Sequence, residues 1–202
     1  MILQLHKKIV LWAYLLFFSM FLVSCSKSYE IENQYVTATV PYAYQDLTDF
    51  VQNDVLYLDS YKLNGLESIF AIDNIQDLLI QPNSQTILED TPVEVLARRL
   101  RSIERESHEP DFPWKNFKIL EEPKATTFKG RPAAEATFDV VEYVNRIDDT
   151  ISKRVKRLVI FVDDDLWNIV LAPSESKYYK DEMEIFETIL ESLEIKKYDS
   201  KN

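Results

Sequence analysis

Glycine is nearly missing from this chain: Gly65 and Gly130 are the only two among 202 residues. Neither a glycine-rich phosphate loop nor a dinucleotide fingerprint can be built from them, which removes the common routes to nucleotide chemistry. Histidine is as scarce, with His6 near the start and His108 in the body. Cys25 is the single cysteine. Cys/His catalysis and zinc sites needing two or more such ligands are thereby excluded beyond the N-terminal segment. A serine triad would have to use His108, which sits among Arg105, Glu106, Ser107 and Glu109 and reads as a solvated helix end. Basic charge is also short, 23 Lys and Arg against 34 Asp and Glu.

What the chain does have is an apolar run at its start. Lys7 and Lys8 precede a stretch from Ile9 to Val23 broken only by Ser19. About 15 residues is short of the roughly 20 that span a bilayer as a helix, so the run reads as an export signal that is cut. Leu22, Val23, Ser24 and Cys25 close it. They resemble the lipobox of bacterial lipoproteins, in which cleavage falls between the residues matching Ser24 and Cys25. The resemblance implies a diacylglyceryl group on the Cys25 sulfur, which makes that residue the new N-terminus and holds the protein to a membrane by lipid. Ser26 stands where an inner-membrane retention aspartate would stand, so the expected address is the outer membrane, facing the periplasm.

Removing residues 1–24 takes two lysines and no acid, leaving 178 residues with 21 basic and 34 acidic side chains, a balance of −13. Such a surface repels phosphate backbones, and no nucleic-acid or nucleotide partner is expected. The length suits one domain, and the divisions read as a signal at 1–24, a lipidated end and polar spacer at 25–34, a domain at 35–195 and a polar tail at 196–202. A nine-residue spacer from Ser26 to Gln34 would reach at most about 32 Å.

Strand signals dominate the domain. Val36, Ala38 and Val40 alternate with Tyr35, Thr37 and Thr39 before Pro41. Asn64 and Gly65 suit a two-residue hairpin turn between strands at Val55–Leu63 and Leu66–Ile72, and Leu78–Ile80 adds a short strand. Thr91, Pro92 and Glu94 form the signature of a capped helix whose apolar stripe is Val93, Leu96, Leu100 and Ile103, with Arg98, Arg99, Arg101, Glu104 and Arg105 facing away. Short strands at Lys118–Glu121 and Thr126–Phe128 precede long ones at Arg131–Val144, Ile151–Val162 and Leu166–Leu171. On the first long strand Ala134, Ala136, Phe138, Val140 and Glu142 share the inward side. Tyr179, Met183, Phe186, Leu190 and Leu193 mark a last amphipathic helix that must lie on the sheet. The fold class is therefore α+β, an antiparallel sheet flanked by an internal helix and a C-terminal one.

Three features invite a site. Asp163–Asp165 lack the alternating ligands, central glycine and distal glutamate of a calcium loop and read as a charged turn. Trp167 reads as core. Phe112 and Trp114, in a proline-punctuated loop with Phe117, read as a plug between helix and sheet, and are the first candidates for a partner-binding surface. No metal and no cofactor are expected.

The order of these elements, with Lys129–Ala134 opening the long strand and Phe186, Ile189, Leu190, Ser192, Leu193 and Ile195 at the end, resembles the PsbP-like α/β/α sandwich family over about Val36 to Ile195. The resemblance implies an accessory or assembly module that binds proteins and is not an enzyme; it offers no catalytic residues to carry over. Two other functions stand beside a protein-binding envelope lipoprotein. An aromatic content of 12% would suit a carrier of a small apolar ligand between sheet and helix, and the 34 acids would suit a carboxylate-dependent hydrolase, although no pair is singled out. If lipid alone holds the protein, Cys25→Ser moves it from the membrane fraction to the soluble fraction of cells; retention in the membrane fraction contradicts the tether.

Overall fold

The computed structural model describes residues 28–51, 54–61, 66–74, 91–144, 149–162 and 165–196. Alternation of apolar and polar residues sets the main sheet. Seven strands pair in the order β3 (Gln45–Asp46), β4 (Asp54–Tyr61), β5 (Glu67–Asn74), β9 (Asp165–Ala172), β8 (Asp149–Val162), β7 (Arg131–Val144), β6 (Trp114–Phe128), all antiparallel. A second sheet joins β1 (Ser28–Glu32), β2 (Val36–Pro41) and β10 (Glu194–Ile195), with β2 in the middle. Among the described residues no helix is long and apolar enough to cross a membrane.

Both faces of the seven-stranded sheet are covered. Helix α1 (Pro92–Glu106) puts Val95, Leu96, Leu100 and Ile103 against Ala134, Ala136, Phe138, Val140, Val155 and Val159. Its capping box is complete: the Glu94 N–H donates to the Thr91 hydroxyl at 3.3 Å, and the Thr91 N–H donates to the Glu94 carboxylate at 2.7 Å. The other face meets helix α2 (Tyr179–Ser192) and the small sheet together. Met183, Phe186, Ile189 and Leu193 join Val36, Ala38 and Val40 over Leu56, Leu58, Phe70, Ile72, Trp167 and Ile169. Phe186 stands at the centre, its ring 5.8 Å from Tyr44 and 5.9 Å from Phe70.

The structure departs from the sequence reading in four places. The segment read as a spacer contains β1, paired with β2 from Ser28 opposite Pro41 to Glu32 opposite Thr37. Ile31 is its one buried residue, which is too little apolar signal to mark a strand in sequence. The two short strands before Lys129 are one, β6, with register shifts along it; Pro123 is tolerated because β6 is an edge. Strands β3 and β10, two residues each, went unread. Arg99 is not turned away from the sheet: it is half-buried and pairs with Glu106 at 3.4 Å. The Asn64–Gly65 turn, the Leu78–Ile80 strand and most of the Asp163–Asp165 turn lie outside the described residues. Between β6 and β7, Lys129 (φ 50°) and Gly130 (φ 79°) both take positive φ, which the one described glycine accommodates without a steric cost.

Polar side chains pin α2 to this frame. Buried Glu182 accepts from the Ser174 N–H and hydroxyl, both at 2.7 Å, which fixes the connection from β9 to α2. Tyr44 and Ser68 share a buried hydroxyl bond of 3.0 Å. Burial pushes the Tyr44 phenol up from 10.0 to about 12; the Ser68 bond opposes the rise and the Glu182 and Asp59 charges add to it.

Two outcomes follow from this packing. Phe186→Ala should destabilise the domain by about 3–5 kcal/mol in urea unfolding, through lost burial and the cavity left behind. Because the folded phenol titrates above the unfolded one, Tyr44 supports the fold in full below pH 10 and loses that support as pH rises through about 12. A difference of that size corresponds to roughly 3 kcal/mol, so Tyr44→Phe should lose less stability than the parent chain between pH 9 and 12, and parallel losses would contradict the assignment.

Candidate functional site

The antiparallel meander brings one set of strand ends together: β5 and β8 begin where β4, β7 and β9 finish. At that end an open groove of about 510 Å³ is lined by Leu66, by Asp149 to Ser152 at the start of β8, and by Glu175, Ser176 and Lys177 before α2. Its two carboxylates are engaged. Asp149 accepts from the Thr150 N–H at 2.7 Å. Glu175 pairs with Lys177 at 2.9 Å, and that ammonium also stands 4.9 Å from the centre of the Tyr178 ring. Hydroxyls of Thr150, Ser152 and Ser176 and the buried side chain of Leu66 complete the lining.

Beside the groove the sheet buries a charge pair. Lys153 is only 2% exposed, and its ammonium lies 2.8 Å from the Glu142 carboxylate, at angles outside those of a hydrogen bond, and 3.4 Å from the Glu67 carbonyl to which it donates. The inward position of Glu142 was legible in the alternation of β7; its partner was not, because Lys153 lies on another strand with no local signal.

A second buried polar node lies under α1. Arg157 is 6% exposed. Burial first, and Arg99 second, pull its guanidinium down to about 10, against the charges of Asp73 and Glu106. The Asp73 carboxyl is pushed above its ordinary range by burial, opposed by the Asn168 amide and by Arg157 and Arg99. The Asn168 amide influences Asp73 without closing a hydrogen bond of ordinary geometry on it. This node joins α1 to β5, β8 and β9 and faces the core, not the groove.

The residues singled out in sequence fall in different places. Phe112 and Trp114 are half-buried and meet edge to face at 6.4 Å, with Trp114 6.0 Å and Phe117 5.1 Å from Phe138. They pack on the core beneath α1 and plug the seam. Trp114 nevertheless belongs to the groove end, because it pairs with Glu142, which pairs with Ile151. His108 is exposed in the turn after α1, and Trp167 is fully buried. Ser24 and Cys25 lie outside the described residues. Among the described residues no three His, Cys, Asp or Glu side chains are grouped to hold a metal ion.

No family model matches this sequence. No curated protein matches it either. Solved structures do resemble it. The solution structure of cyanobacterial PsbP (CyanoP) from Synechocystis sp. PCC 6803 is 12% identical, with a TM-score of 0.54 over 86% of this chain and 95% of that one. LpqN, involved in cell envelope biogenesis of Mycobacterium tuberculosis, is 12% identical, with a TM-score of 0.42 over 85% of this chain and 91% of that one. At such identity the likeness to CyanoP speaks for architecture alone: an antiparallel sheet with a helix on each face, the α+β PsbP-like fold.

Proposed function

We propose that this chain is a non-enzymatic lipoprotein of the bacterial cell envelope, held by a lipid on Cys25, whose domain binds a protein partner through the groove end of its sheet. The observation that carries the reading is the groove itself. It is open and lined by apolar Leu66 and Ile151, the hydroxyl residues Thr150, Ser152 and Ser176, and one paired charge couple, a mixed surface suited to polypeptide contact. Trp114, in the same cross-strand row as Ile151, and its neighbour Phe112 supply the aromatic flank.

The other readings draw less support. A hydrolase needs two acids poised over a cleft, whereas Asp149 holds a backbone N–H and Glu175 holds Lys177. A carrier needs space between sheet and α2, where Phe70, Trp167 and Phe186 are each fully buried and packed together. With the Cys25 sulfur in a thioether, the mature chain has no other thiol. The outer membrane, facing the periplasm, is the location we assign.

A thiol introduced in the groove is then unique. Thr150→Cys, crosslinked in the native envelope with a short bifunctional reagent, should give one adduct of fixed mass. Thr127→Cys, exposed at the opposite end of β6, should not. Adducts of equal yield from both positions, or none from either, would contradict a partner at the groove.

A further inference from the structure

The strand β1 changes what the tether can do. A spacer of nine residues would let the domain swing tens of ångströms from its anchor; with β1 beginning at Ser28, three residue steps separate the fold from Cys25. Three extended residues reach about 11 Å. Across the β1–β2 ladder Ser28 faces Pro41, which leads into the turn closed by the Tyr44 N–H donating to the Pro41 carbonyl at 2.9 Å. Tyr42 projects from that turn, 62% exposed, with its ring 5.5 Å from Tyr29. The Tyr29 hydroxyl donates to the Tyr44 carbonyl at 3.0 Å, which fixes the pair to the frame. Within a mature chain balanced at −13, the run Pro41, Tyr42, Ala43 and Tyr44 carries no charge.

We propose that the Tyr42 turn rests in the lipid headgroup layer, so that the domain is docked on the membrane in one orientation and does not hang free from its lipid. This rests on the Cys25 tether proposed above. The occupant is a bilayer surface, argued from the length of chain between fold and lipid and from the chemistry of the turn. The headgroup layer is about 5–8 Å deep on each side of the hydrocarbon, so a fold held within about 11 Å of the glycerol level has its nearest loop in or against it. A phenol ring, apolar in body and polar at its tip, is with indole one of the two side chains enriched in that layer. The acidic remainder of the surface is repelled from anionic headgroups, which leaves the uncharged turn as the favoured contact. The groove lies at the same end of the main sheet, since Tyr44 is hydroxyl-bonded to Ser68 and Leu66 lines the groove two residues earlier. A partner that uses it must therefore reach it close to the membrane.

The test uses the lipidated full chain in phosphatidylcholine vesicles containing a nitroxide-headgroup lipid. Two variants place a reporter, Tyr42→Trp and Thr127→Trp, over the shared background of Trp114 and Trp167. The docked orientation predicts that headgroup quenching of the added emission is at least threefold greater at Tyr42→Trp than at Thr127→Trp. Equal quenching at both positions, with the chain still vesicle-bound, overturns the orientation and leaves the tether standing. A purified chain whose mass lacks the diacylglyceryl increment on Cys25, and which does not sediment with vesicles, overturns the tether and the orientation together.

Discussion

The structure depends on one requirement: a seven-stranded sheet with apolar side chains on both faces must be covered twice. Helix α1 covers one face from within the chain. The other face is too broad for α2 alone, and the remainder is closed by β1, β2 and β10, the two extremities of the described chain brought side by side. Phe186 is the contact on which this arrangement converges, since it touches Phe70 of the main sheet and Tyr44 beyond β2 from the middle of α2. The N-terminal strand is thus joined to the hydrophobic core through Ile31, which is buried with Val36, Ala38 and Val40 of β2.

Charge is handled inside this frame by pairing. Lys153 pairs with Glu142 and Glu182 accepts from Ser174, while Arg157 lies in the field of the Asp73 carboxyl without a direct ion pair; all are buried or nearly so. Each ties two or more elements together, so their removal would leave an uncompensated charge or hydrogen-bonding group in the core. That makes them structural ties, distinct from the exposed Glu175–Lys177 pair of the groove end where we propose the partner docks.

Much of this was legible in the residues themselves. The even positions of β7 from Ala134 to Val140 are buried as the alternation predicts, although Ala133 and Thr137 are buried on the other face too; α1 carries Thr91, Pro92 and Glu94 in capping order, and α2 repeats its apolar residues at three and four. Trp167 and the aromatic plug of Phe112 and Trp114 also lie where their size sends them. Elements made by distant contacts were not legible. Strand β1 shows one buried residue in five, and β10 is two residues long, so both exist only because β2 lies between them. Arg99 looks solvent-facing on a helical wheel, but it is half-buried, where its charge favours the Asp73 carboxylate on a strand distant in sequence and opposes Arg157. The groove is assembled from three separate stretches of chain, one of them the start of β8, and has no linear signature.

The consequence for function runs through β1. With that strand folded, three residue steps separate Cys25, the proposed site of the lipid, from the core, and the proposed tether would present the domain from a fixed position. Amide hydrogen exchange on the lipidated protein measures this directly. The β1 amides that face β2 should exchange as slowly as those of β2 itself, opening only with the small sheet. Exchange at unstructured rates throughout 28–32, with β2 still protected, would contradict the account and return that segment to a free spacer.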